Sequence, residues 1–394
     1  MTYLVVIIFT FIHLLMYGAY SYRRKNYINE LSFIFGLSFL TLYFLPLIYI
    51  IQFNPEHVLS YGFLINYFLL FVSHFIYFFV MSYVKLPKKF LFNYTQPKNN
   101  LFLVVFLCFL MIIIFFSLNQ VIHVQNLLEI SPREHYASTR TNAGFAFIIF
   151  TLLSISLCIS LFVIKSNYLK IGMTVLLCFS AYFLGTKSSL LSLIMIIIFY
   201  LNFSTNIRLK LAHIFYFLVL IFFAILYLQL FQDKLFNYSR YADYTFNAEY
   251  IINNVKTGSY GRLFIEDNFF SRVPRIFFES KPVFFGSSEL SLAVNEKQTL
   301  SLQGSPAVSM GKIYAEFQLL SFVIIIISTF FNALLLKYFS WSLKKYFNLP
   351  NFILFLYFAG VSLIQVPPAT TLPEVFFLAF IIHLLRLIKP KKNV

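Results

Sequence analysis

The sequence predicts an all-α polytopic membrane protein, and three observations carry that reading. Of the 394 residues 60% are apolar, with 54 Phe and 27 Tyr among them. Only 11% are charged, where a soluble chain carries about a quarter. Apolar runs near the length needed to cross hydrocarbon recur along the chain. A water-soluble fold is excluded.

Taken in order, the expected spans fall at about 3–22, 31–51, 59–84, 101–119, 143–164, 171–186, 188–203, 211–231, 318–339, 351–366 and 374–388. That makes eleven transmembrane helices within a single membrane domain, 1–394. The sixth and seventh are short and are separated only by Gly185-Thr186-Lys187. The first reads as a retained helix and not as a secretory signal, because its basic cluster follows the apolar run and no small-residue cleavage site ends it.

Charge sets the expected orientation. Alternate connections hold eighteen of the 30 basic residues and one acid, Glu30, while the other connections hold twelve bases and thirteen acids. Positively charged loops resist translocation. The first set is therefore placed in the cytoplasm, with the amino terminus outside and the carboxyl terminus inside. The net charge of +16 is a topology signal. Because it is scattered over six cytoplasmic segments and not gathered on one face, no nucleic-acid partner is expected.

Several chemistries are set aside by what the motifs lack. Cys108, Cys158 and Cys178 all fall inside apolar runs and read as small buried hydrophobes. Gly185-Thr186-Lys187-Ser188 resembles the tail of a phosphate-binding loop, but Ser180 stands where its leading glycine belongs. The three aspartates, Asp233, Asp243 and Asp267, form no Asp-x-Asp pair to hold a divalent ion on phosphates. Catalysis is expected to proceed without metal or cofactor. No Asp or Glu falls mid-span, which argues against an ion-driven carrier. His13, His74, His213 and His383 lie singly in or near spans and read as packed residues.

The polar chemistry collects in outer segments. The largest, 232–317, is too long for a structureless loop and is expected to contain short helices lying at the outer surface. In the segment 120–142, a helix start at Ser131-Pro132 would place Arg133, Tyr136 and Arg140 on one face. Such a face is either a solvated helix meeting lipid phosphates or an anion clamp, for which the planar guanidinium fork is suited. The long loop adds Arg272-Val273-Pro274-Arg275 and Lys281-Pro282, with Arg240 and Arg262 upstream. Lys187 either snorkels to the headgroups or lines a cavity open to the outside.

The plan of the whole chain resembles the oligosaccharide repeat-unit polymerases of bacterial surface polysaccharides (O-antigen or capsule polymerases, Wzy-type). The most specific match is Ser305-Pro306 followed by Gly311-Lys312-Ile313-Tyr314-Ala315-Glu316-Phe317, which is similar to the family's Gly-x-x-Tyr-x-x-Phe-Gly element. Arg272, Pro274, Arg275 and Lys281-Pro282 are similar to its Arg/Pro/Lys-Pro region. The sequence departs from the pattern at Gln318, where a glycine is common.

This resemblance implies a GT-C-like membrane glycosyltransferase of the bacterial inner (plasma) membrane. It would move a growing glycan from undecaprenyl diphosphate onto a new lipid-linked repeat unit, with membrane lipids and a chain-length regulator protein as partners. The resemblance makes Arg133, Arg140, Arg272 and Arg275 ligands of the diphosphates, with Lys187 and Lys281 in support. It makes Tyr136 and Tyr314 sugar-orienting residues. The proton acceptor is drawn from Glu134, His135, Glu266, Asp267 and Glu316, with Glu134 or Glu316 preferred. A glycan ligase of the same superfamily and a lipid-linked oligosaccharide flippase are the competing readings.

Overall fold

The computed structural model describes residues 2–26, 29–37, 60–86, 239–255, 258–270, 280–300, 310–345 and 349–359, with isolated positions between them. Among the described residues every regular element is helical and no strand is present. By contacts the chain divides into two compact units, one of Met1–Lys85, Ile207–Lys337 and Ile364–Thr370, the other of Leu86–Asn206, Tyr338–Leu363 and Thr371–Val394.

The first unit opens with α1, Thr2–Arg24, which ends on Arg23 and Arg24, a charge placement that suits a helix C-terminus. The chain then folds back into a π-helix, Ser32–Leu37. The return is polar and internally satisfied: Tyr20 donates to Glu30 Oε2 at 3.0 Å and Asn29 Nδ2 to Ser21 Oγ at 2.9 Å. Glu30, the single acid on the basic side of the sequence, is 2% exposed. Its charge is therefore used inside the fold, against Tyr20 and the nearby Arg24.

Helix α2, Tyr61–Tyr83, starts at Ser60, whose Oγ accepts the Phe63 amide. Among the described residues two stretches are long and apolar enough to cross a membrane, Tyr61–Tyr83 and Gly311–Lys345. The 23 residues of α2 extend about 35 Å at 1.5 Å per residue, more than the ~30 Å of a hydrocarbon core.

His13 and His74 are packed inside the fold, as the sequence suggests, but one part of that reading is corrected. They are not single: α1 and α2 bring their rings to 4.4 Å, edge to face, with each residue 1% exposed. His74 bonds the Leu70 carbonyl at 2.8 Å. Both rings also engage the backbone of the π-helix, His74 at Ile34 and His13 at Phe35. A separation of 61 positions hides such a pair from any reading along the chain.

Between 232 and 317 the described residues form five helices: α3, Ser239–Asn254; α4, Arg262–Phe270; α5, Ser287–Val294; α6, Glu296–Leu300; and α7, Gly311–Phe317. A 3-10 turn, Gln318–Leu320, leads from α7 into α8, Ser321–Lys345. One buried cluster joins Phe63, Tyr67 and Leu69 of α2 to Ile252 of α3, Ile313 and Tyr314 of α7, and Ile325 of α8. A second joins Ile251, Leu263, Leu290 and Ala315, and so ties α3, α4, α5 and α7 together. Gly311 permits the close approach of α7 to α3, since a Cβ there would stand 3.0 Å from the Ala248 Cα.

The second unit holds α9, Leu349–Phe358, packed through aromatic rings. Phe355 meets Phe199 at 5.1 Å and Phe203 at 4.8 Å, both edge to face.

Candidate functional site

The family-like element 311–317 forms α7, and its polar side chains face α4. Lys312 and Glu316 are four residues apart and share a helix face. Glu316 is fully buried; its Oε1 accepts the Leu263 amide at 2.5 Å and the Ser259 hydroxyl at 3.4 Å. Leu263 lies in the first turn of α4, where amides have no partner within the helix. Glu316 thus caps α4 from outside. The backbone reinforces the joint, with the amides of Gly258 and Tyr260 donating to the carbonyls of Ala315 and Glu316 at 3.2 Å each. The second oxygen, Oε2, is enclosed without a hydrogen-bond partner among the described residues.

Lys312 pairs with Asp267 of α4 and lies 4.2 Å over the ring of Phe264. The two charged side chains are only 14% and 13% exposed. Asp267 in turn accepts the Ser287 amide at 3.0 Å as well as its hydroxyl, while Glu266 Oε2 accepts the Gly286 amide at 2.9 Å. Two carboxylates therefore cap α5, where negative charge is favoured by the helix dipole. Gly286 has a φ of 54°, and a Cβ there would overlap the Asp267 carboxylate. Only glycine fits.

Arg262 forks onto Glu289, with nitrogen to oxygen distances of 3.2 and 2.7 Å, and also reaches Glu266 at 2.8 Å. The hydrogen bonds it donates to Glu289, foremost, hold its proton more tightly than in a free guanidinium. A further cap of the same kind joins α3 to α2: Asn253 Oδ1 accepts the Gly62 amide at 3.0 Å and its Nδ2 donates to Ser60 at 3.1 Å. Polar side chains here serve first to close helix ends across the sequence.

Of the residues that the sequence singles out for the site, the structure places Tyr314, Lys281 and the candidate bases Glu266, Asp267 and Glu316, the two acids of α4 being engaged in capping α5. Tyr314 and Glu316 lie together on α7; Tyr314 is 6% exposed within the apolar cluster, and its phenol meets that of the exposed Tyr61. Lys281 lies 5.2 Å over the Phe285 ring. Phe285 belongs to an aromatic group with Phe270 and Phe278, the Phe270 ring standing 5.4 Å from that of Phe285 and 5.8 Å from that of Phe278. Arg272 and Arg275 fall between Phe270 and Phe278 in sequence and lie outside the described residues. Arg133, Glu134, His135, Tyr136, Arg140 and Lys187 also lie outside them.

Sequence reading missed Lys312, Asn253 and Ser287. Lys312 was legible as the base four residues before Glu316, and Ser287 as a helix start after Gly286. Asn253 gave no local signal. Among the described residues no group of three His, Cys, Asp or Glu side chains could hold a metal ion.

No family model matches the chain, and no solved structure matches it. Two curated proteins do. Each is named O-antigen polymerase, one from Salmonella typhimurium and one from Salmonella typhi. Each is 30% identical over 325 residues, covering 78% of this chain and 77% of the relative. Identity sustained over three quarters of both chains, on a helical protein with membrane-length helices, places this chain in the O-antigen polymerase (Wzy-type) family.

Proposed function

We propose that the protein polymerises undecaprenyl-diphosphate-linked oligosaccharide repeat units into a surface polysaccharide at the outer face of the bacterial inner membrane. The observation that carries this reading is the 30% identity to two O-antigen polymerases over 78% of the chain. The eleven-span arrangement, with 120–142 and 232–317 outside, is part of the proposal. So is association with a chain-length regulator.

In the proposed reaction an acceptor sugar hydroxyl attacks the anomeric carbon of the donor. The bond from that carbon to the phosphate oxygen breaks, the lipid diphosphate leaves with the electron pair, and the hydroxyl proton passes to a base. Negative charge grows on the leaving diphosphate, where fixed cations stabilise it. Arg133, Arg140, Arg272 and Arg275 take that role, supported by Lys187 and Lys281. The lack of an Asp-x-Asp pair in the sequence supports transfer without a metal.

Glu134, with His135 beside it, is proposed as the proton acceptor. A base must come within hydrogen-bond reach of the acceptor hydroxyl, and the enclosed position of Glu316 on α7, against the first turn of α4, supports a positioning role for it. Tyr136 is proposed to orient sugars, and Tyr314 to act through the exposed Tyr61.

The test is complementation of a host lacking its own polymerase, read as the ladder of glycan lengths. Loss of the ladder with a single repeat unit still attached supports polymerisation; loss of all attached glycan points to a ligase. Arg→Ala changes at the four arginines should collapse the ladder, and Arg→Lys should rescue poorly where contact is bidentate. A normal ladder from all four alanine variants overturns the clamp.

A further inference from the structure

Helix α4 hides one side and bares the other. Leu263 is fully buried, and Asp267 is tied to Lys312 and Ser287. On the opposite side Ile265 and Phe269, one turn apart, are 69% and 50% exposed. With Phe264 and Asn268 they line an open depression of about 410 Å³. Exposed large apolar side chains are common singly, but a paired apolar face on a short helix of a polar loop calls for a partner.

The connections of α4 fix the level at which that face stands. Its first turn is held by Glu316, and the Phe264 ring stands 6.2 Å from that of Phe317. Phe317 immediately precedes the turn from which α8 departs. The exposed large side chains that follow are apolar without exception through Leu319, Leu320, Val323, Ile326 and Ile327. That is the surface a membrane-crossing helix presents to lipid. Leu263 also packs on Ile251 of α3, whose Asn253 caps the first turn of α2, the other membrane-length helix.

Helix α4 therefore stands where two crossing helices begin. Aromatic residues with a polar tip mark such levels, and Tyr61 and Tyr260 are exposed here at 63% and 69%. Arg262, half exposed, borders the apolar pair, as a basic residue borders the buried face of an interfacial helix.

We propose that α4 lies in the bilayer boundary itself, with Ile265 and Phe269 seated among the upper acyl chains and Arg262 at the headgroups. The occupant of the apolar face is membrane lipid, and the contact docks the loop that carries Arg272, Arg275 and Lys281 onto the bilayer. The surface continues the lipid-facing side of α8 and does not rest on the polymerase reading.

The test uses the full chain with its single tryptophan removed, Trp341→Phe, and a new indole introduced by Ile265→Trp or, separately, Phe269→Trp. Each protein is placed in phosphatidylethanolamine and phosphatidylglycerol vesicles free of polyprenyl lipid. Blue-shifted emission is expected, with most of it lost to lipids brominated near the headgroup and less lost to lipids brominated near the acyl terminus. Water-like emission from both variants, unquenched by either lipid, overturns the proposal. Quenching protection that arises only on adding undecaprenyl diphosphate overturns it too, by handing the face to substrate. Vesicles without substrate keep the result independent of whether the chain polymerises glycan.

Discussion

The carboxylate of Glu316 closes the amino end of α4 through the amide of Leu263, 53 residues earlier in the chain. Two substitutions separate this cap from a chemical role. Glu316→Ala leaves a buried amide unpaired, which costs about 1–3 kcal/mol, so the unfolding midpoint of the purified protein should fall and the glycan ladder should weaken with it. Glu316→Gln keeps an oxygen for Leu263 and should retain most of the ladder. A glutamine variant that unfolds like the wild type yet makes no polymer would assign Glu316 to proton transfer.

Lys312 and Asp267 form a charged pair between α7 and α4, and both are largely withdrawn from water. Removing one partner strands the other, at about 3–5 kcal/mol for a buried pair, somewhat less here because both retain slight exposure. Lys312→Met and Asp267→Asn should each lower stability sharply, and the double variant should recover part of the loss. A denaturation cycle on the four proteins checks this; strictly additive effects would show that the pair is not coupled.

What could be read from sequence divides along physical lines. Helices α1, α2 and α8 were legible because an apolar run near the thickness of hydrocarbon has one ready solution, as at Tyr61–Tyr83. The caps were not legible. Asn253 serves Ser60 from 193 positions away, and nothing in the local pattern of either residue announces the other. The site lies between these extremes. Its element 311–317 stood out as a motif, and the spacing of Lys312 and Glu316 gave the shared face, but only the fold reveals that the face grips α4. Gln318 shows the limit of motif reading: the family's glycine is absent, yet the turn forms with glutamine at a φ of 49°.

That turn yields a contrast among substitutions. Glutamine at Gln318 holds a backbone region natural to glycine, a strain of about 1–3 kcal/mol, partly offset by its Nε2 donating to the Ala315 carbonyl at 3.1 Å. Gln318→Gly relieves the strain and loses the bond, so stability should stay within ~1 kcal/mol of wild type. Gln318→Val adds a β-branch where none is tolerated and should destabilise clearly. Thermal unfolding in detergent distinguishes them, and equal midpoints for the two variants would refute the assigned backbone strain.

Gly286 faces a harder limit than Gln318, because its Cβ position is already filled by the Asp267 carboxylate. Gly286→Ala should break both carboxylate caps on α5, the Glu266 bond to Gly286 and the Asp267 bond to Ser287. Each cap is worth about 1 kcal/mol. Faster proteolysis within 280–300 in the otherwise folded protein is the expected readout, and wild-type resistance would show that α5 is held by its apolar contacts alone.

Lys337 was counted from sequence only as a cytoplasmic charge, but its Nζ donates to the carbonyls of both Val80 and Met81 at 2.8 Å. These are last-turn carbonyls of α2, where that of Val80 also accepts the Val84 amide at 3.2 Å, and a cation is favoured at that end by the dipole. Lys337 therefore fastens α8 to the end of α2, beside the topological role proposed for its charge. Lys337→Met removes both functions, while Lys337→Arg keeps the charge but replaces a compact ammonium with a planar fork. If the bonds matter beyond the charge, the arginine protein should insert normally by reporter fusion yet unfold at lower temperature, with a loss of about 1–2 kcal/mol. Equal stability of the arginine and wild-type proteins would leave Lys337 as a topology residue alone.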